Sequence, residues 1–101
     1  MSKTKPISIL LLDDNPGLAF HYKKGMEHYA GVNVSVETES MRALALAERQ
    51  LFDNIVIDAK LDYRGFEFGG LRLADDLNRR YGSNSILIMS RYITSHLKIN
   101  E

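Results

Sequence analysis

The chain has 101 residues, 45% of them hydrophobic and 26% charged, with 13 Lys+Arg set against 13 Asp+Glu and no cysteine. That length suits one small domain with one core, and the balanced charge leaves no broad basic field to drive counterion release from nucleic acid or attraction to anionic lipid. The missing cysteine removes disulfides, thiolate zinc sites and thiol nucleophiles and fits a reducing compartment, and no apolar run approaches the roughly 20 residues that span a bilayer.

Met1 to Pro6 is polar, and Asp13 and Asp14 follow the first apolar run directly, so no signal peptide is expected. The chain is placed in the cytoplasm, without direct contact to membrane or DNA. Ile7 to Leu12 is a short, nearly continuous apolar run ended by Asp13-Asp14-Asn15-Pro16-Gly17. It predicts a strand buried on both faces, followed by a turn in which Asn15 caps a helix and Pro16 takes its first position. Leu18, Tyr22, Met26 and Tyr29 give that helix one apolar stripe, which Gly31 ends. Val32, Val34 and Val36 then alternate with polar residues, the period of a strand covered on one face or lying at a sheet edge.

Ser40 is positioned to cap a second helix, with Met41, Leu44, Ala45 and Leu51 as its apolar positions. Asn54 to Asp58 repeats the first pattern, an apolar strand ending in a carboxylate. From Ala59 to Gly70 no periodicity is evident, which predicts a long connection. Leu71, Ala74, Leu77 and Tyr81 mark a third helix stopped near Gly82, and Ser85 to Ser90 reads as a fourth buried strand. Strands alternating with helices of about 12 residues imply βαβ units and a parallel sheet between helical layers.

In such a sheet, ligands bind beyond the carboxyl ends of the strands. The first strand delivers Asp13 and Asp14 there, the third Asp58 and the fourth Ser90. Three carboxylates brought together repel one another unless a cation favours their ionised forms, and oxygen-only ligands with room for water suit Mg²⁺. One carboxylate then has the chemistry to attack phosphorus, with a hydroxyl beside it.

At Leu-Leu-Asp13-Asp14-Asn-Pro, Ile-Val-Ile-Asp58-Ala-Lys-Leu61, Gly-Gly-Leu71 and Ile-Leu-Ile-Met-Ser90 the chain resembles response-regulator receiver domains of two-component signalling, nearly end to end and in order. The resemblance implies a flavodoxin-like, doubly wound parallel sheet of strand order 2-1-3-4. Residues 1–101 would form one receiver domain, lacking the fifth strand and helix. It further implies that Asp58 is the phosphoacceptor and that Asp14 is a direct Mg²⁺ ligand. Asp13 would reach the metal directly or through water, Lys60 would offer its backbone carbonyl, and Ser90 would be the switch hydroxyl. The implied partners are a sensor histidine kinase or phosphotransfer protein upstream and an output domain or protein downstream. The chain would be a substrate more than an enzyme.

Four departures from the family pattern stand out. Asp62 replaces the proline usual four residues after the acceptor, the stretch from Asp58 to Gly70 is longer than usual, and Arg91 follows the switch hydroxyl. The family's fifth-strand lysine has no counterpart before Glu101, which implies slow phosphorylation, and Lys98 is poorly placed to replace it. With its fourth strand uncovered, the chain is expected to form a homo-oligomer or to swap elements through the strand-four edge and the C-terminal tail. Two other functions stay open: a phosphorylation-independent interaction and oligomerisation module, and a Mg²⁺-dependent phosphohydrolase, against which Lys60 stands where that class carries a second acid. His21, His28 and His96 lack metal-ligand spacing. Phe66 and Phe68 are expected to pack on the third helix, with a partner-binding knob as the alternative.

Overall fold

In the computed structural model, residues 6–29 and 31–89 are described. They form β1 (Ile7–Leu12), α1 (Pro16–Glu27), β2 (Val32–Glu37), α2 (Ser40–Arg49), β3 (Asn54–Asp58), α3 (Gly69–Tyr81), a 3₁₀ turn (Ser83–Ser85) and β4 (Ile86–Met89). The four strands make one sheet in the order β2-β1-β3-β4, and all three pairings are parallel. The alternation of strands and helices accounts for the parallel βαβ units, and the strand order is the flavodoxin-like one that the family resemblance implies.

Alternation along the central strands divides the core in two, because successive side chains leave a strand on opposite faces. Leu10 and Leu12 of β1, with Ile55 and Ile57 of β3, pack against Ala43 and Ala47 of α2 and Leu73 and Leu77 of α3. Leu11 and Val56 face the other way, onto Ala19 of α1 and Val34 of β2. Continuous apolar runs at β1 and β3 thus reflect helices on both sides of the sheet, as expected for buried parallel strands.

The first helix begins as the sequence predicts. Asn15 has extended backbone geometry, its Oδ1 accepts the Leu18 amide at 3.1 Å, and Pro16 opens the helix. Its stripe is shorter than expected, since Tyr29 lies beyond the helix and is exposed.

The apolar face of α2 is another matter. Leu44 packs partly buried on the core as expected, but Met41 and Ala45 are exposed, Leu51 lies exposed past the helix end, and Ala43 and Ala47 are the fully buried residues. Two alanines four residues apart let the helix backbone settle close to the sheet, whereas large side chains on that face would hold it off. Ser40 also departs from its expected part. Glu39 occupies the cap position without a side-chain hydrogen bond, and the Ser40 hydroxyl donates to the carbonyl of Asp62 at 2.7 Å. In α3, Leu73 and Leu77 form the buried pair and Leu71 is half-exposed.

Residues 59–68 are more ordered than their lack of period suggests. Leu61 and Tyr63 belong to the core. Tyr63 and Phe66 form an antiparallel bridge, the Phe66 amide donates to the Tyr63 carbonyl at 3.1 Å, and Arg64 and Gly65 between them have φ of 54° and 76°. Two positive φ values in a two-residue loop define a tight hairpin turn of the type whose twist matches that of paired strands.

Candidate functional site

The site lies beyond the carboxyl ends of β1 and β3, which are neighbours in the sheet. Asp13 follows the last residue of β1, and its amide continues the ladder by donating to the Glu37 carbonyl at 3.3 Å. Asp58 ends β3 opposite Met89 of β4, and the next amide, that of Ala59, donates to the Met89 carbonyl at 2.8 Å. Both carboxylates are therefore set by sheet pairing on either side and not by a free loop.

The two strand ends share a local device. Asp13 Oδ1 accepts the Asn15 amide at 3.0 Å, and Asp58 Oδ1 accepts the Lys60 amide at 3.2 Å. In each case an aspartate side chain bonds the backbone two residues on, closing a turn that carries the chain off the sheet. Asp13 is fully buried, Asp58 is 6% exposed and Asp14 is exposed. One carboxylate oxygen from each of the three lies within 4.8 Å of the others.

This donor set fits a hard divalent cation. It is all oxygen and carries up to three negative charges, two of them on buried groups. Its spacing is comparable to the roughly 4.2 Å between opposite ligands around Mg²⁺, which binds oxygen at about 2.1 Å. The exposure of Asp14 leaves the solvent side open for the waters that Mg²⁺ retains.

The segment following Asp58 is held from three sides. The Leu61 amide donates to the Asp58 carbonyl at 3.1 Å, and the Gly70 amide to the Ala59 carbonyl at 3.1 Å. A Cβ on Gly70 would overlap the Asp58 carbonyl oxygen, and one on Gly69 would overlap the Leu61 carbonyl and the Tyr63 amide. The Gly-Gly pair is thus what permits the first turn of α3 to rest on the backbone of the site. Below it, the buried Tyr63 hydroxyl donates to Asp76 Oδ2 at 2.5 Å. Burial pushes the Tyr63 phenol above its ordinary pKa, and the Asp76 carboxylate adds to the shift.

Of the residues singled out by sequence, the structure brings Asp13, Asp14 and Asp58 together and puts Lys60 in the turn after Asp58. Ser90, Arg91 and the tail with His96 and Lys98 lie outside the described residues. His21 and His28 sit on and just after α1, away from the acidic cluster. Phe66 is 45% exposed, and the guanidinium of Arg72 lies 4.3 Å from its ring centroid, so it meets the third helix through a cation–π contact and not through burial. Sequence reasoning missed Ser40, Tyr63 and Asp76 as supports of the site. The hairpin signal was present in Arg64-Gly65 between two aromatics, but nothing local points a buried tyrosine at a particular aspartate 13 residues on.

No protein-family model and no curated protein sequence matches the chain. Solved structures do. The receiver domain of Francisella response regulator 1452 is 26% identical with a TM-score of 0.71, over 92% of this chain and 73% of that one. The fold is that of a response-regulator receiver domain. A LuxR-family two-component response regulator from an Aurantimonas species is 24% identical, with a TM-score of 0.75 over 94% of this chain and 66% of that one. A CheY-like receiver domain protein from Methanospirillum hungatei is 19% identical, with a TM-score of 0.70 over 96% of this chain and 75% of that one. The receiver-like chain therefore spans two thirds to three quarters of the length of these structures. Among its described residues, no helix is long and apolar enough to cross a membrane.

Proposed function

We propose that the chain is a phosphoacceptor receiver of a two-component relay, with Asp58 taking a phosphoryl group from the phosphohistidine of a cytoplasmic kinase or phosphotransfer protein. The observation that carries this reading is the meeting of Asp58 with Asp13 and Asp14, whose carboxylate oxygens lie within 4.8 Å of one another at adjoining strand ends. Two of the three carboxylates are buried, and a core has no structural use for like-charged groups buried beside one another.

In this reading Asp13 and Asp14, Asp58 itself and the Lys60 carbonyl would hold Mg²⁺. When bound, the ion supplies positive charge that offsets the charge on the transferred phosphoryl oxygens. Asp58 keeps one oxygen oriented by the Lys60 amide and attacks phosphorus with a carboxylate oxygen. The phosphorus–nitrogen bond of phosphohistidine breaks, the imidazole nitrogen keeps the electron pair and is protonated, and Asp58 becomes an acyl phosphate. Ser90, next along the chain from the Met89 that pairs with Asp58, is the hydroxyl proposed to hydrogen-bond the new group.

Intact mass after incubation with Mg²⁺ and acetyl phosphate tests the proposal, with Asp58→Asn run in parallel. The expected result is a hydroxylamine-labile gain of one phosphoryl group on the parent alone. The same gain on Asp58→Asn would move the acceptor elsewhere.

A second reading, an interaction module that works without phosphorylation, is favoured by one feature. Leu87 is 62% exposed on β4, the outermost strand on its side among the described residues. Absence of phosphoryl gain with Mg²⁺ still bound, together with self-association in sedimentation, would select it.

A further inference from the structure

We propose that Tyr63 is a positioning residue for the acidic site, locking the hairpin after Asp58 onto α3 and thereby fixing the backbone that orients the Asp58 carboxylate. The inference rests on Asp58 being the functional carboxylate, as proposed above.

The connection can be followed atom by atom. Asp58 Oδ1 is held by the Lys60 amide, and the Asp58 carbonyl by the Leu61 amide. Two residues on, the Tyr63 ring is 1% exposed, and its hydroxyl reaches Asp76 on α3. Between these points the Asp62 carbonyl accepts the Ser40 hydroxyl from the start of α2. Gly69 and Gly70 then bring the first turn of α3 against both ends of the same segment, Gly69 at Leu61 and Tyr63 and Gly70 at Asp58 and Ala59. A short segment clamped by side chains of two helices and by the backbone of one has little freedom, and the carboxylate at its head shares that restriction.

A tyrosine that merely filled the core would need no hydroxyl. Phenylalanine would fill the same space without a polar atom to satisfy, since a buried phenol is retained at a cost unless it is bonded. Here the hydroxyl finds a carboxylate on the very helix whose N-terminal turn rests on Asp58. Asp76 and Gly70 stand six residues apart on α3, so the bond fixes the helix against the hairpin well below the site.

Amide hydrogen exchange on the full chain tests the idea without requiring phosphorylation. In Tyr63→Phe, the Lys60, Leu61 and Gly70 amides should exchange about five- to tenfold faster, the range that loss of one hydrogen bond produces in local opening. The Ala19 amide at the start of α1, on the opposite face of the sheet, should stay within about twofold of the parent over the same local opening. Asp76→Asn keeps an acceptor for the phenol and should stay near the parent, whereas Asp76→Ala should match Tyr63→Phe. This pair decides the matter if Tyr63→Phe folds poorly. Equal acceleration at all four amides, or none at Leu61 and Gly70, would overturn the proposal and leave Tyr63 a packing residue. A parallel series with added Mg²⁺ separates the two readings. If Mg²⁺ leaves the parent's Lys60 and Leu61 amides unchanged, the metal-site reading fails, while the metal-free comparison still decides the role of Tyr63.

Discussion

Glu27 of α1 accepts the backbone amide of Val34 of β2 on its Oε2 at 3.0 Å. The same carboxylate oxygen pairs with Lys23 at 2.9 Å, and the Lys23 ammonium donates to the Val34 carbonyl at 2.6 Å. Both main-chain groups of Val34 are thus taken by side chains and not by β1, so they belong to the outer edge of β2, a terminal strand of the sheet among the described residues. An open strand edge invites pairing with another chain, and charged side chains folded over it prevent this.

Removing the guard should therefore make the chain stickier. Lys23→Ala with Glu27→Ala is expected to raise light scattering relative to the parent at equal concentration, and to speed exchange of the Val34 amide. Unchanged scattering and unchanged exchange would show that the edge needs no cover.

The guard is also sensitive to acid. The Val34 amide first, and then the Lys23 ammonium, hold the Glu27 carboxyl below its ordinary pKa of 4.5. A carboxyl whose folded pKa is depressed contributes stability above its unfolded pKa and loses it as pH falls through the folded one. Thermal unfolding followed downward from neutral pH should show that loss below about pH 4.5 in the parent. Glu27→Gln should be less stable at neutral pH and show a smaller drop across the same window.

Asp14→Asn should change sign with metal. Without Mg²⁺ it removes one of three neighbouring like charges and should raise the melting temperature. With Mg²⁺ at about a hundredfold excess over Kd, the parent should gain about 2.7 kcal/mol, and the variant distinctly less. Calorimetry with and without chelator measures both; a variant that responds to Mg²⁺ as the parent does would remove Asp14 from the ligand set.

Two glycines should respond oppositely to alanine. Gly25 lies within α1 with open space where a Cβ would stand, so Gly25→Ala should stabilise by about 0.5–1 kcal/mol through helix propensity. Gly70→Ala drives a methyl into the Asp58 carbonyl and should cost about 1–3 kcal/mol or more. Denaturant titration of the two variants checks the contrast.

The leucines of α3 offer a test of its orientation. Leu73→Ala should cost about 2–5 kcal/mol as a cavity forms in the core, whereas Leu71→Ala, at a half-exposed position, should stay near about 0.5 kcal/mol. Similar losses for both would mean that the helix is rotated from the face described.

Much of the fold is legible in the sequence because it rests on local signals. The runs at Ile7 and Asn54 are strands buried on both faces, and the Asn15-Pro16 start fixes the beginning of α1. What local signals cannot give is which helix face meets the sheet when both carry apolar residues. Of the stripe Met41, Leu44, Ala45 and Leu51 expected for α2, Leu44 packs on the core, Met41 is exposed and Leu51 lies past the helix end, because close packing selected the small Ala43 and Ala47.

The candidate site divides the same way. Sequence by itself determined that carboxylates end the first and third strands, since a buried strand stops where charge begins, and that they would share one end of a parallel sheet. The order 2-1-3-4 that the resemblance implies sets β1 beside β3, and the tertiary structure decided how close the strand ends come, with Asp13, Asp14 and Asp58 meeting within 4.8 Å. It alone decided, too, that Tyr63, Ser40 and the Gly69-Gly70 pair pack around the segment that follows Asp58. Strand order and buried polar partners depend on contacts between residues far apart in the chain, and no local periodicity records which distant group will satisfy a buried hydroxyl.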